Sequence, residues 1–220
     1  MKVALVSSSQ PSKELAEQGI INAQELVAYC ARVSNPSNQT NTETSEKLIR
    51  YLIKHQHWSP LEMVSACLEI ETTRDIARQI LRHRSFSFQE FSQRYAVADL
   101  GFEFKETRLQ DTKNRQNSLV SEDPELDSWW QSQQGFVATH INMIYNKAIE
   151  LGIAKEQARA ILPEGITTSR LYMQGTLRSW LHYIELRSGT ETQKEHREVA
   201  RACADALEGI FPMVKEFLVN

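Results

Sequence analysis

Between Gln79 and Tyr95 the chain crowds three arginines, three serines, a histidine and one carboxylate, Glu90, among apolar residues. On a helix Arg78 and Arg82 stand one turn apart on one face, so their guanidinium groups repel unless an anion or solvent lies between them. Planar guanidinium forks match phosphate oxygens two at a time, and a hydroxyl such as that of Ser92 can complete the cradle. The plainer reading is a solvated basic face with Phe86, Phe88 and Phe91 as core. Two further readings use the same residues. Arg78, Arg82, Arg84 and Arg94 with the three phenylalanines could form a basic aromatic surface for RNA. Alternatively, His55, His57 and His83 could serve a metal-dependent hydrolase, although no carboxylate pair completes a ligand set at metal spacing. Ser92 is read as a ligand and not a nucleophile, because local spacing fixes no base beside it.

The spacing favours the anion site. Arg82-His83-Arg84, seven residues, then Ser92-Gln93-Arg94 and Tyr95 resembles the RHR, seven residues, SxR signature of the flavin-dependent thymidylate synthase family. Ala31-Arg32-Val33-Ser34 and His57-Trp58-Ser59-Pro60-Leu61-Glu62 are similar to that family's early flavin-contacting segments. Arg159-Ala160-Ile161-Leu162-Pro163 and the run Leu177 to Arg187 are similar to its helical nucleotide-binding segments. The resemblance departs from the commonest pattern at Gln89, Met63, Thr176 and His182, and in the loop 188–193, which lacks a histidine many members carry.

The resemblance implies a reductive methylation of dUMP to dTMP, with FAD as cofactor, methylenetetrahydrofolate as carbon donor and NADPH as reductant. It assigns Arg82, His83 and Arg84 to the flavin, with Arg82 also reaching dUMP. Ser34, Ser59, Glu62, Glu90, Arg178, His182 and Leu186 are expected to contact FAD, and His57 to lie near flavin and folate. Gln79, Glu90, Ser92, Gln93 and Arg94 are expected to hold dUMP, with Arg159 joining the phosphate site from a neighbouring subunit. Arg187 is the expected catalytic residue, a cation beside the uracil ring where negative charge develops. The implied assembly is a homotetramer with shared active sites, and no metal is implied.

These residues must be positioned by a single domain over residues 1–220. Val3 to Val6 reads as a strand, Ile20 to Cys30 as a helix, and Leu48, Ile49, Leu52 and Ile53 as the buried stripe of a helix capped by Thr44 or Ser45. Val64 to Ile70 alternates as a strand, and Thr73 or Asp75 starts a helix to about Leu81, so the RHR cluster falls at its end. Phe104 to Asp123 is polar and predicts a surface excursion. Pro124 to Leu151 predicts a helix offering Trp130, Phe136, Val137, Ile141, Ile144, Tyr145 and Ile149 for burial and ended by Gly152. Apolar helical faces around Trp129, Trp130 and Trp180 are consistent with an assembly of subunits, and a monomer's core would account for them equally well. The remainder predicts helices only, at Ala154–Leu162, Thr176–Leu186 and Glu195–Leu207. Together with the resemblance this gives an α/β (α+β) fold, a mixed or antiparallel sheet flanked by long helices, with a helical C-terminal half.

Composition bounds the partners. At 220 residues with 41% hydrophobic and 24% charged side chains, the chain can bury a sizeable core without disulfides. A net charge of −3 argues against a protein that coats nucleic acid. No apolar run is long enough to cross a bilayer, and the short start Met1 to Val6 is no signal-peptide core, so a cytoplasmic protein is expected. Cys30, Cys67 and Cys203 are isolated in sequence and read as buried free thiols.

Overall fold

The computed structural model describes residues 1–219. In chain order the strands are β1 (Lys2–Ser8), β2 (Ser65–Thr73), β3 (Ser87–Glu90), β4 (Arg108–Gln110), β5 (Ser118–Val120) and β6 (Thr168–Thr176). The helices are α1 (Lys13–Glu17), α2 (Ala23–Ala31), α3 (Ser45–Lys54), α4 (Arg74–Ile80), α5 (Pro124–Glu150), α6 (Lys155–Ala158), α7 (Leu177–Ser188) and α8 (Lys194–Glu208).

One four-stranded sheet, ordered β1-β2-β6-β3, organises the molecule, and all its pairings are antiparallel. Its alternation is that of a sheet covered on one face. Ala66, Leu68 and Ile70 of β2 and Leu171 and Met173 of β6 point into the core with α7 and α8, supplying Trp180, Tyr183, Ile184, Val199, Cys203 and Leu207. The other face is polar: Tyr172 donates its hydroxyl to Glu69 at 2.8 Å, and Arg170 pairs with Glu71 at 2.5 Å. Trp180 anchors α7 to the sheet by donating its indole N–H to the Ala66 carbonyl at 3.0 Å, which satisfies the one polar atom a buried tryptophan carries. Among the described residues no helix is long and apolar enough to cross a membrane.

Several expectations change. Of the mixed or antiparallel sheet expected the antiparallel form is the one found, but the C-terminal half is not wholly helical, because β6 crosses it as an interior strand. Its inward residues are Ser169, Leu171, Met173 and Gly175. Only two of these four are large and apolar, so the period of two is faint in the sequence. The short β3 was not anticipated either, and the stretch 104–123 carries the hairpin β4–β5.

Of the three tryptophans Trp180 belongs to the core of the single chain and is fully buried, whereas Trp129 and Trp130 are exposed. Thr44 occupies the α3 N-cap but its hydroxyl accepts from Arg32 at 2.8 Å instead of capping the helix. Along α5 only Gln134, Ala138 and Tyr145 are buried, while Trp129, Trp130, Phe136, Val137, Met143 and Ile144 stand exposed. Gly152 does end this region, at a φ of 80°.

Candidate functional site

The RHR residues occupy the turn that leaves α4. Its last carbonyls are closed by the backbone N–H groups of Arg82 onto Gln79 and of His83 onto Ile80, so the helix stops where β3 must begin. Arg82 and Arg84 face solvent, and His83 turns inward. There Arg187, from α7, donates its Nε–H to His83 Nε2 at 2.9 Å. A guanidinium has no lone pair to offer, so Nε2 must be the acceptor and the imidazole is neutral, with its proton on Nδ1. Burial first and the Arg187 charge second push this imidazole down to about 4. Its ring meets Tyr183 edge-on, with centroids 4.9 Å apart.

The other end of the turn is tied to the same helix, since Ser179 Oγ donates to the Ser85 carbonyl at 3.1 Å. Beside it Glu62, Ser85, Thr176, Arg178, Ser179 and His182 line an open cleft of about 460 Å³. Glu62 and Arg178 form an ion pair across it, and His182 lies against Trp58 with centroids 4.6 Å apart. The cleft thus gathers three of the expected flavin residues, Glu62, Arg178 and His182, with Thr176, one of the departing positions. Ser59 begins the short turn that carries Glu62. Ser34 is exposed and forms no hydrogen bond with these residues, and Leu186 is exposed on α7. His57 lies beside Tyr51 and His55, at centroid distances of 6.4 and 6.2 Å.

The nucleotide candidates form two further groups. Glu90 on β3 is held by Arg78 at 3.1 Å, by Arg74 at 3.6 Å and by the Ser169 hydroxyl at 2.9 Å. Arg94 reaches Glu156 at 3.6 Å, and Arg159 donates to the Glu156 carbonyl at 3.3 Å, so Arg94 and Arg159 of one chain converge on one residue. Ser92 accepts from the Arg94 backbone N–H at 3.4 Å, and Gln93 is buried.

Gln79 leads to residues that sequence reasoning missed. Its Nε2 donates to Gln193 Oε1 at 2.8 Å, and its Oε1 lies 3.2 Å from His196 Nδ1. His196 Nε2 lies 3.1 Å from the Tyr183 hydroxyl. Burial first, with the Arg187 charge behind it, pushes His196 down to about 3. Gln193 Nε2 donates to Glu195 at 2.9 Å, and Glu195 also accepts from Arg108 of the hairpin. Burial alone would raise the Glu195 carboxyl, but hydrogen bonds from Arg108, its own backbone N–H and Gln193 hold it at about 2. The available signal was that His196 shares the α8 stripe of Val199, Ala200, Cys203 and Leu207, an expensive place for an imidazole without polar partners.

The donor set fits a flavin nucleotide. Neither Arg82 nor Arg84 has an ion-pair partner among the described residues, leaving two free cations on a turn whose end lines the cleft. Arg178, the hydroxyls of Ser85, Thr176 and Ser179, and His182 backed by Trp58 complete a lining suited to a phosphorylated planar ligand. The cysteines offer no competing nucleophile: burial pushes the thiols of Cys30 and Cys67 up and that of Cys203 far up, against the thiolate form.

Comparisons with known proteins show the family. The pattern of the family described as "Thymidylate synthase complementing protein" matches residues 18–213. The chain is 47% identical over 218 residues to a probable flavin-dependent thymidylate synthase of Paramecium bursaria Chlorella virus 1, covering 99% of both chains. It is also 47% identical over 215 residues to the flavin-dependent thymidylate synthase of Synechocystis sp., covering 97% of each. Among solved structures it resembles the UMP/dUMP methylase PolB of Streptomyces cacaoi bound with 5-Br dUMP. The TM-score is 0.81 at 25% identity, over 98% of this chain and 93% of that one.

Proposed function

The chain belongs to the flavin-dependent thymidylate synthase family and methylates dUMP to dTMP, and on that premise we propose that its flavin is FAD, its carbon donor methylenetetrahydrofolate and its reductant NADPH. FAD is held by Arg82, His83 and Arg84 on the turn after α4, by Glu62, Arg178 and His182 around the cleft, and by Ser34, His57, Ser59, Glu90 and Leu186 at its margins. When bound, the flavin supplies the electron-transfer chemistry by which the one-carbon unit of the folate becomes the new methyl group at the expense of NADPH. The chain's own residues bind, orient and polarise.

Gln79, Ser92, Gln93 and Arg94 hold the nucleotide, with Arg94 and, from a neighbouring subunit, Arg159 at its phosphate, where guanidinium forks are most effective. Arg82 and Glu90 serve both ligands. Arg187 bears on the uracil ring: with its Nε committed to His83, its terminal amino groups remain to stabilise negative charge on the base. The observation that carries this reading is that bond, because it joins the RHR turn to the helix that lines the cleft and fixes the plane of a permanently charged group beside both.

Anaerobic incubation with FAD, NADPH, methylenetetrahydrofolate and dUMP, followed by mass analysis, is expected to give dTMP only when all four are present. Product formed without the folate, or without FAD, would overturn the assignment.

The working assembly is a homotetramer that buries the apolar side of α5. A Phe136→Glu substitution puts a charge on a side chain that is 68% exposed in the single chain. It is therefore expected to leave the fold intact and shift the sedimentation coefficient to a smaller species. An unchanged coefficient would remove this face from the interface.

A further inference from the structure

We propose that His196 is a positioning residue for the nucleotide: through its Nδ1–H it locks the Gln79 amide so that Gln79 presents only a donor to an acceptor oxygen of dUMP. The proposal rests on the reading that Gln79 contacts dUMP, and adds to it a residue that has no place in the signature.

The direction of every bond follows from the charged end. Glu195 is paired with Arg108 and can only accept. Gln193 must therefore point its Nε2 at Glu195, 2.9 Å away, which turns its carbonyl toward Gln79. Gln79 must then donate through Nε2, at 2.8 Å, which leaves its Oε1 facing His196 Nδ1 at 3.2 Å. An amide oxygen cannot donate, so the imidazole proton sits on Nδ1, and Nε2 accepts from the Tyr183 hydroxyl at 3.1 Å. Six side chains from β4, α4, α7, α8 and the residue preceding α8 are thus set in one orientation, and a flipped amide at Gln79 would leave two of its contacts repulsive.

Consequences for binding follow. The Gln79 carbonyl is consumed inside the protein, and one N–H of its amide has no partner among the described residues. Phosphate and carbonyl oxygens only accept, so a fixed N–H is complementary to them, whereas a freely flipping amide would present the wrong atom part of the time. His196 itself is fully buried, so it acts on the nucleotide through Gln79.

The test compares three substitutions in the flavin-loaded enzyme. His196→Leu removes the Nδ1 donor and is expected to raise KM for dUMP by about tenfold while kcat changes by less than about threefold. His196→Asn, whose amide nitrogen stands near the Nδ1 position, is expected to restore KM to within about threefold of the parent. His196→Gln, whose amide stands near Nε2 and serves Tyr183 instead, is expected to leave KM raised. A purely structural histidine would make Asn and Gln equivalent and would show itself in the melting temperature, and that result overturns the proposal. If His196→Leu fails to fold, the Asn and Gln pair decides alone. Gln79→Ala separates the two readings: a raised KM there with a normal KM in His196→Leu overturns the positioning role only. An unchanged KM in Gln79→Ala removes Gln79 from the dUMP site and takes the proposal with it.

Discussion

Replacing Arg187 by alanine is expected to lower turnover by about a thousandfold while the protein still binds its flavin. The magnitude comes from the loss of a preorganised cation at the place where charge develops, which typically costs about 3–4 kcal/mol of transition-state stabilisation. Arg187 is preorganised because its Nε is already spent on His83 Nε2 at 2.9 Å, so the guanidinium plane needs no reorganisation when substrate arrives. Arg187→Lys tests the geometry separately from the charge. A lysine keeps the cation but has no planar fork to hold His83 and the base together, so it is expected to recover only a small part of the loss. Flavin retention follows from the cleft, whose lining residues Glu62, Thr176, Arg178 and His182 do not include Arg187. Measured kcat near the parent value would remove Arg187 from catalysis. Loss of flavin absorbance with loss of turnover would make it a cofactor ligand instead.

The parts of the site that lie close together in the chain were legible in the sequence, because the signature is a spacing and a spacing needs no fold to be seen. Arg82, His83, Arg84, Ser92 and Arg94 fall within thirteen residues, and the helix end that presents them was readable from the α4 pattern. What joins that segment to the rest was not legible. The His83 to Arg187 bond spans 104 residues, and the Gln79 to Gln193 bond spans 114. Neither glutamine nor a lone histidine carries a local mark of its distant partner. The same limit hid β6: with serine and glycine at two of its four inward positions, the strand lacks the run of branched apolar residues that identifies one. In α5 the period announced a helix correctly, but periodicity cannot tell whether an apolar face is covered by its own chain or by another copy. Trp180 and Trp129 look alike in sequence, yet one is the buried anchor of α7 and the other is exposed.

Gly175→Ala, a change of one methyl group, is expected to cost about 2–3 kcal/mol and to lower Tm by about 5–10 °C, with weakened flavin binding. Gly175 sits in β6 opposite Ala66, and a Cβ there would stand 2.5 Å from Phe86 Cε1 and closer still to Cδ1. The ring has little room to retreat, being packed edge-on against Trp180 at a centroid distance of 4.8 Å and near Tyr183 at 6.0 Å and Phe88 at 6.2 Å. Relief must therefore come from the backbone that carries Phe86. That backbone is the RHR turn, anchored by the Phe86 N–H on the His83 carbonyl at 3.3 Å and by Ser179 on the Ser85 carbonyl. Displacing it moves Arg82, His83 and Arg84 together, which links a packing defect to the flavin site. A second substitution separates this route from a general loss of sheet stability. Phe86→Leu in the Gly175→Ala background opens the space the methyl needs, and is expected to recover part of both the melting temperature and the flavin affinity. If the double variant is as damaged as the sum of the two single ones, the two positions do not act through that contact.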